Sequence, residues 1–290
     1  MNAQRHPAAA APAAAPEARV QFIGRAATAA LYDELALDPK PGLVSFAGSG
    51  SHADMDARTF MRSLLALRHY FQHAALLGAA AAPFSELEAL GIAAEARMLR
   101  ATGGVNTHRG AIFTLGLLCA SVGGSMAEGR PLTADAARTH LLTRWGDALR
   151  ARSTRSTQSN GQRAARRHGL RSVGAEAALG FPVLFTHTLP ALQAAQAHGL
   201  GPTLARLDAL FHSIAVLDDT NLAHRGGLAG LHFAQAEARR FVAAGGAAHP
   251  DALARARAIG VRFVARRLSP GGAADVLAAA CFLDRACALP

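Results

Sequence analysis

Asp56-Ala57-Arg58-Thr59-Phe60-Met61-Arg62-Ser63-Leu64-Leu65-Ala66-Leu67-Arg68-His69-Tyr70-Phe71 is the stretch on which the fold turns. Phe60, Met61, Leu64, Leu65 and Phe71 recur at offsets of three, four and seven, which gathers them on one helical face. The same spacing continues outward in both directions. It predicts helices near Ala18–Leu37, Phe84–Leu99, His108–Val122, Thr133–Arg150, Phe181–Ala197, Pro202–Leu217, Gly230–Ala243, Pro250–Arg267 and Ala273–Ala288. The segment from Phe84 opens with Ser85-x-x-Glu88, the pattern of a capping box. No apolar run has period two, no Asn-Gly pair joins two such runs, and no repeat of fixed length stands out. Abundant alanine, the best helix former, points the same way. The expected fold is all-α, a single-domain multi-helix bundle with a central cleft lined by glycine-rich helix N-termini.

A chain of 290 residues with 51% hydrophobic and 17% charged residues can bury a sizeable core and is not a disordered polymer. Residues 1–17 are rich in Ala and Pro and read as a disordered tail ahead of one helical catalytic domain, 18–290. This tail lacks the continuous leucine-type run that follows the basic start of a signal peptide. No stretch supplies the roughly 20 apolar residues of a membrane span. The closest, Ala111–Met126, is interrupted by Gly116, Gly123 and Gly124. Cys119, Cys281 and Cys287 form no disulfide framework, which suits the reducing cytoplasm. The net charge of +10 favours anionic partners. It rests almost entirely on arginine, because Lys40, between Pro39 and Pro41, is the only lysine. Seven arginines between 150 and 171, mixed with Ser, Thr, Gln, Asn and Gly, read as a mobile basic loop: a flap over phosphates or a solvated insertion.

Four stretches repeat one design, in which glycines are followed by polar residues and then by an apolar helix. They are Gly48–Asp56, Thr102–Gly110, His224–Gly227 and Ser269–Asp275. Unpaired N–H groups and the dipole make a helix N-terminus an anion site, and glycine lets the ligand come close. None is a Walker loop or a dinucleotide fingerprint. Asp54, Asp56, Glu95, Asp218 and Asp219 lie beside these turns and are candidate ligands for Mg²⁺, although Asp54 and Asp56 could equally be N-caps and Glu95 an exposed charge. Asp218, Asn221 and Arg225 share a helical face, suited to a phosphate–metal site or to an internal salt bridge. His108, in the first turn of an apolar helix, could bind phosphate, donate a proton or simply cap. His69, His73, His140, His198 and His249 read as surface residues.

At these positions the chain resembles the triphosphoribosyl-dephospho-CoA synthase family. The resemblance is carried by Lys40-Pro41-Gly42-Leu43-Val44, Gly50-Ser51-His52-x-Asp54-Met55-Asp56, and Ala94-Glu95 through Met98 to Ala101–Phe113. It continues in Gly174–Ala177, Asp219–Leu222, Arg225-Gly226-Gly227 and Ser269–Asp275. Asp38-Pro39-Lys40-Pro41, Thr107-His108-Arg109 and Leu268-Ser269-Pro270 resemble the malonate decarboxylase branch more than the citrate lyase branch. Gly48-Ser49 stand where the family pattern has Asp-Asn. The resemblance implies transfer of the triphosphoribosyl group of ATP to the ribose 2′-hydroxyl of 3′-dephospho-CoA, with release of adenine. ATP and dephospho-CoA are then the substrates and Mg²⁺ the cofactor. Malonate decarboxylase follows downstream, no nucleic acid or membrane is involved, and a homodimer is left open. It implies catalytic roles for Asp54, Glu95, His108 and Asp219, with Asp54, Glu95 and Asp219 also as metal ligands. Substrate binding is implied for Lys40, His52, Gly103, Gly104, Asn106, Arg109, Glu176, Asn221, Arg225, Gly271, Gly272 and Asp275. Two other readings compete: an ADP-ribosylglycohydrolase-like Mg²⁺-dependent N-glycosidase, and a basic helical nucleic-acid-binding protein.

Overall fold

The computed structural model describes residues 16–154 and 159–288. Among them the chain is helical and no strand forms; the only bridge pairs Ser45 with Gly48. Helix α1 (Pro16–Ala36) starts inside the stretch read as a tail, whose first fifteen residues lie outside the described ones. The deciding stretch is split into α2 (Ala57–Leu67), capped by Asp56, and α3 (Tyr70–Ala79). Its apolar period is real, but the break at Arg68-His69 has no local signal. Helix α4 (Phe84–Ala101) begins after Pro83, so Ser85 lies inside the helix and the capping box does not form. Pro83 fixes the start instead, and Glu88 turns to Arg152.

Helix α5 (Arg109–Ala127) runs through the core. It is the one described helix long and apolar enough to cross a membrane, and most of it is packed inside the protein. Its small residues set the spacing to its neighbours. A Cβ on Gly123 would lie 2.2 Å from the Ala75 carbonyl oxygen of α3. Helix α6 (Ala134–Ser153) packs on α5, with His140 buried at Gly124 and edge-on to Trp145, so His140 is no surface residue.

The basic stretch 150–171 is not the expected loop. Helix α6 runs to Ser153, and α7 (Asn160–His168) forms with Ser159 as N-cap and Gly169 as left-handed C-cap. Ala164 and Ala165 give α7 a small buried face. Residues 155–158 lie outside the described residues. Helix α8 (Val173–Ala178) follows, then a π-turn at Leu184–Thr188 leading into α9 (Leu189–Ala197) and α10 (Pro202–Val216). Helix α11 (Thr220–Ala243) starts ten residues before the expected Gly230 and kinks at Gly227. Helices α12 (Ala252–Ala265) and α13 (Gly271–Ala286) complete the chain. One hydrophobic cluster runs from Val20 to Ala286, with α13 packed on α1, α5 and α10.

Candidate active site

A cavity of about 640 Å³ opens where several helices begin. Its wall includes the first residues of α4 (Phe84), α5 (Arg109, Gly110), α7 (Asn160, Gly161), α8 (Val173), α11 (Thr220, Asn221) and α13 (Gly272). The partial positive ends of these helices therefore face one space. Of the four glycine turns only Gly110 and Gly272 reach it, while Gly103, Gly104 and Gly271 do not; Gly161, at the start of α7, adds a glycine from outside those turns. Gly103 and Gly104 (φ 67° and 90°) terminate α4, with the Gly104 N–H closing on Leu99 O at 2.8 Å. They form a C-terminal stop, not an anion-binding start.

Three arginines reach the cavity, and each is held by a carboxylate. Arg109 Nε donates to Glu95 Oε1 at 2.6 Å. Arg152 Nε donates to Glu88 Oε1 at 2.7 Å and its guanidinium lies 4.8 Å from the Phe113 ring centre. Arg171 sits 3.2 Å from Glu176 Oε1 and 3.7 Å from Asp218 Oδ2. Glu95 thus positions an arginine; it is not presented as a bare metal ligand. Burial raises the Glu176 carboxyl despite its arginine partner. Asn106 Oδ1 accepts the Arg109 N–H at 3.2 Å, which steadies the start of α5. The lining also includes the apolar side chains of Phe84, Leu87, Ile92, Phe113, Phe181 and Leu184.

Asp219 ties two of these helix ends together. Its Oδ1 accepts the N–H groups of Asn221 and Leu222 at 2.9 and 3.3 Å, capping α11. Its Oδ2 accepts the N–H of Ala273 at 3.0 Å, capping α13, whose own N-cap is Pro270. Gly272 contributes a further amide, and a Cβ there would stand 3.1 Å from the carboxylate. Burial raises the Asp219 carboxyl, and the four amides oppose the rise. Asp275, one turn into α13, is half-buried on the cavity wall against Gly110.

His52, Arg225 and Asp54 lie off the cavity wall in a cluster of their own. Arg225 donates to His52 Nδ1 at 3.0 Å and to the carbonyls of Ser51 and Arg267 at 3.0 and 3.1 Å. His52 Nδ1 is therefore the acceptor, and Nε2 donates to Ser269 Oγ at 2.9 Å. This cluster clasps the 48–56 turn to the start of α13. Asp54, 3.6 Å from His52 with a mostly exposed side chain, does not meet Glu95 and Asp219. Among the described residues no three of His, Cys, Asp and Glu converge as a metal site, so the expected Asp54–Glu95–Asp219 ligand set does not form.

His108 and Lys40 are also inside the protein and not on the wall. His108 Nδ1 lies 2.6 Å from Ser63 Oγ, and its ring meets Phe60 edge-on. Burial first, and the Lys40 charge second, push it down to about 3, so it is neutral at physiological pH and cannot hold phosphate as a cation. Lys40 Nζ donates to Glu34 O at 2.6 Å and to Glu34 Oε1 at 2.5 Å. It satisfies a carbonyl in the last turn of α1 and neutralises a buried carboxylate. The compact ammonium fits where a planar guanidinium does not. Lys40→Arg is expected to cost about 1–3 kcal/mol by overpacking. The KM for nucleotide substrate should stay unchanged; a selective rise in KM would restore the phosphate-binding role.

The sequence marks Arg152 and Arg171 only as members of the basic stretch, and it misses Glu34 and the opening of α7. The fold and cavity define an all-helical protein whose converging helix ends and tethered arginines suit a polyphosphate-bearing substrate beside an apolar wall. The chain belongs to the ATP:dephospho-CoA triphosphoribosyl transferase (CitG) family, whose model matches residues 20–289, and is an enzyme of that transferase class. It is 41% identical over 283 residues to a probable 2-(5''-triphosphoribosyl)-3'-dephosphocoenzyme-A synthase of Pseudomonas paraeruginosa, covering 94% of each chain. It is 42% identical to the protein of the same name from Stutzerimonas stutzeri, covering 89% of each. The Vibrio cholerae (strain M66-2) protein of that name is 38% identical, over 89% of this chain and 86% of the relative. No solved structure matches.

Proposed function

We propose that this enzyme transfers the 5-triphosphoribosyl group of ATP to the ribose 2′-hydroxyl of 3′-dephospho-CoA, with release of adenine. The supporting observation is the convergence of helix N-termini and of Arg109, Arg152 and Arg171 on one cavity that also carries apolar lining. In this reading the guanidinium groups, in the positive field of the helix starts, hold the triphosphate, and the apolar side chains of the wall receive the purine. Glu88, Glu95 and Glu176 keep the arginines in place before the substrate arrives. The wall also excludes water, which would otherwise compete with the acceptor hydroxyl at the ribose C1.

The carboxylates present fit a magnesium ion carried in by ATP, since such an ion takes only one or two protein carboxylates beside phosphate oxygens. Glu176 and Asp218 would hold it only by exchanging their contacts with Arg171 for the ion. Its contribution would be neutralisation of the triphosphate. The motifs Asp38–Pro41, Thr107–Arg109 and Leu268–Pro270 favour the malonate decarboxylase pathway as the destination of the product.

The test is mass spectrometry of dephospho-CoA incubated with enzyme, ATP and Mg²⁺. A mass gain equal to triphosphoribose, with one adenine released per adduct, is expected. Adenine release without an acceptor would favour the hydrolase reading, and no release at all would sink the proposal.

A further inference from the structure

Six carboxylates line the cavity: Glu88, Glu95, Glu176, Asp218, Asp219 and Asp275. Five are engaged in holding the protein together. Glu88, Glu95 and Glu176 pair with Arg152, Arg109 and Arg171. Asp218 accepts the Arg171 backbone N–H at 3.1 Å, and Asp219 accepts the amides of two helix starts. Asp275 differs. Among the described residues it has no cationic partner, and its one hydrogen bond is from the Ala111 N–H. It projects from the first turns of α13 across to the first turn of α5. A Cβ on Gly110 would stand 1.9 Å from its Oδ2, so the bare glycine backbone makes room for this carboxylate.

We infer that Asp275 is the general base that takes the proton from the acceptor 2′-hydroxyl. This rests on the transfer reaction proposed above. As the oxygen of dephospho-CoA bonds to C1 of the ATP ribose, the C1–N9 bond breaks and its electron pair leaves with adenine. The hydroxyl proton passes to the ionised form of Asp275, which forms as pH rises through its raised pKa. Adenine takes one proton from solvent, and Asp275 returns one on product release, so the step is proton-neutral. A carboxylate beside the reacting carbon also opposes the positive charge of an oxocarbenium-like transition state.

The surroundings suit a group that gains by becoming neutral. Burial first, then the carboxylates of Glu34 on α1 and Asp219 at the start of α11, raise Asp275 well above the usual carboxylate range, and the Ala111 amide only partly offsets them. Lys40 neutralises Glu34 from behind, and Arg109, on the same turn of α5 as Gly110, is turned to Glu95. Accepting a proton therefore relieves both desolvation and repulsion.

Asp275→Asn keeps the shape and an acceptor for the Ala111 amide while removing the basic oxygen. In the ATP plus dephospho-CoA assay, kcat is expected to fall by about 10²–10⁴-fold, with the KM values for both substrates within about threefold. A folded state that holds its proton up to a raised pKa loses stability as pH climbs past the unfolded carboxylate value. The Asn variant escapes that loss, so its Tm should exceed that of the unsubstituted enzyme at pH 7, with the gap closing below about pH 4. A purely structural aspartate would give a lower Tm at pH 7. If the unsubstituted enzyme transfers and Asp275→Asn retains kcat within about threefold, Asp275 is not the base, although the reaction stands. Failure of the unsubstituted enzyme to transfer would remove both readings.

Discussion

Asp219→Ala is expected to lower the unfolding free energy by about 3–5 kcal/mol and to abolish turnover. The carboxylate accepts amides of Asn221 and Leu222 at one helix start and of Gly272 and Ala273 at another. Alanine would leave these donors without a partner at a site only 1% exposed. Each buried donor stripped of its acceptor costs about 1–3 kcal/mol, and some relief comes from water entering by way of the cavity. The two helix ends form part of the cavity wall, so their relative placement would go with the cap. Asp219→Asn separates the contributions. Its single oxygen can still cap α11, but its amide nitrogen would face the Ala273 N–H, donor against donor. A smaller stability loss, with α13 chiefly affected, should follow. Chemical denaturation of the three proteins checks this. Unchanged midpoints would mean that neither helix start depends on the carboxylate.

Asp219 also shows how far sequence reading reaches. Asp-Thr-Asn before an apolar helix marks the position as special, and it is. What local sequence cannot carry is that the second oxygen caps a helix starting at Gly271, 52 positions on from Asp219. Lys40 repeats the lesson. Its being the only lysine signals constraint, but its partner, Glu34, fixes the role as neutraliser and helix cap. His108 falls in the most distinctive motif and faces Ser63, while the neighbouring Gly110 admits Asp275. Helix existence is legible because apolar period is local. The break at Arg68-His69 is less so, because the period runs on across it, whereas the kink at Gly227 falls on a glycine pair at a left-handed φ of 62°. The expected ligand set of Asp54, Glu95 and Asp219 fails because long-range packing sets what each carboxylate meets. Each is acidic and near a turn, but one is exposed, one tethers an arginine, and one is consumed by backbone amides.

Gly78→Ala is expected to destabilise the fold by about 3 kcal/mol or more, the upper end for overpacking. The reason is that α3 and α5 meet backbone to backbone. A Cβ on Gly78 would lie 1.8 Å from the Ala120 carbonyl oxygen and 2.5 Å from its carbonyl carbon. On the facing helix, a Cβ on Gly123 would lie 2.2 Å from the Ala75 oxygen. The obstruction in both cases is main chain, which cannot change rotamer, so relief requires the helices to separate. Separation would unseat Tyr70, whose hydroxyl donates to Ile112 O at 2.9 Å and presses on Gly116. Because α5 starts at the cavity with Arg109 and Gly110, a shift of its axis moves Arg109 relative to the apolar wall and Gly110 relative to Asp275. Gly78→Ala should therefore lower transfer activity along with stability. Gly48→Ala is the control: a Cβ there meets nothing within 4 Å and the backbone needs no left-handed φ, so its effect should be close to zero. Thermal unfolding of both variants decides the matter. Equal Tm values for Gly78→Ala and Gly48→Ala would show that the α3–α5 contact can open without cost.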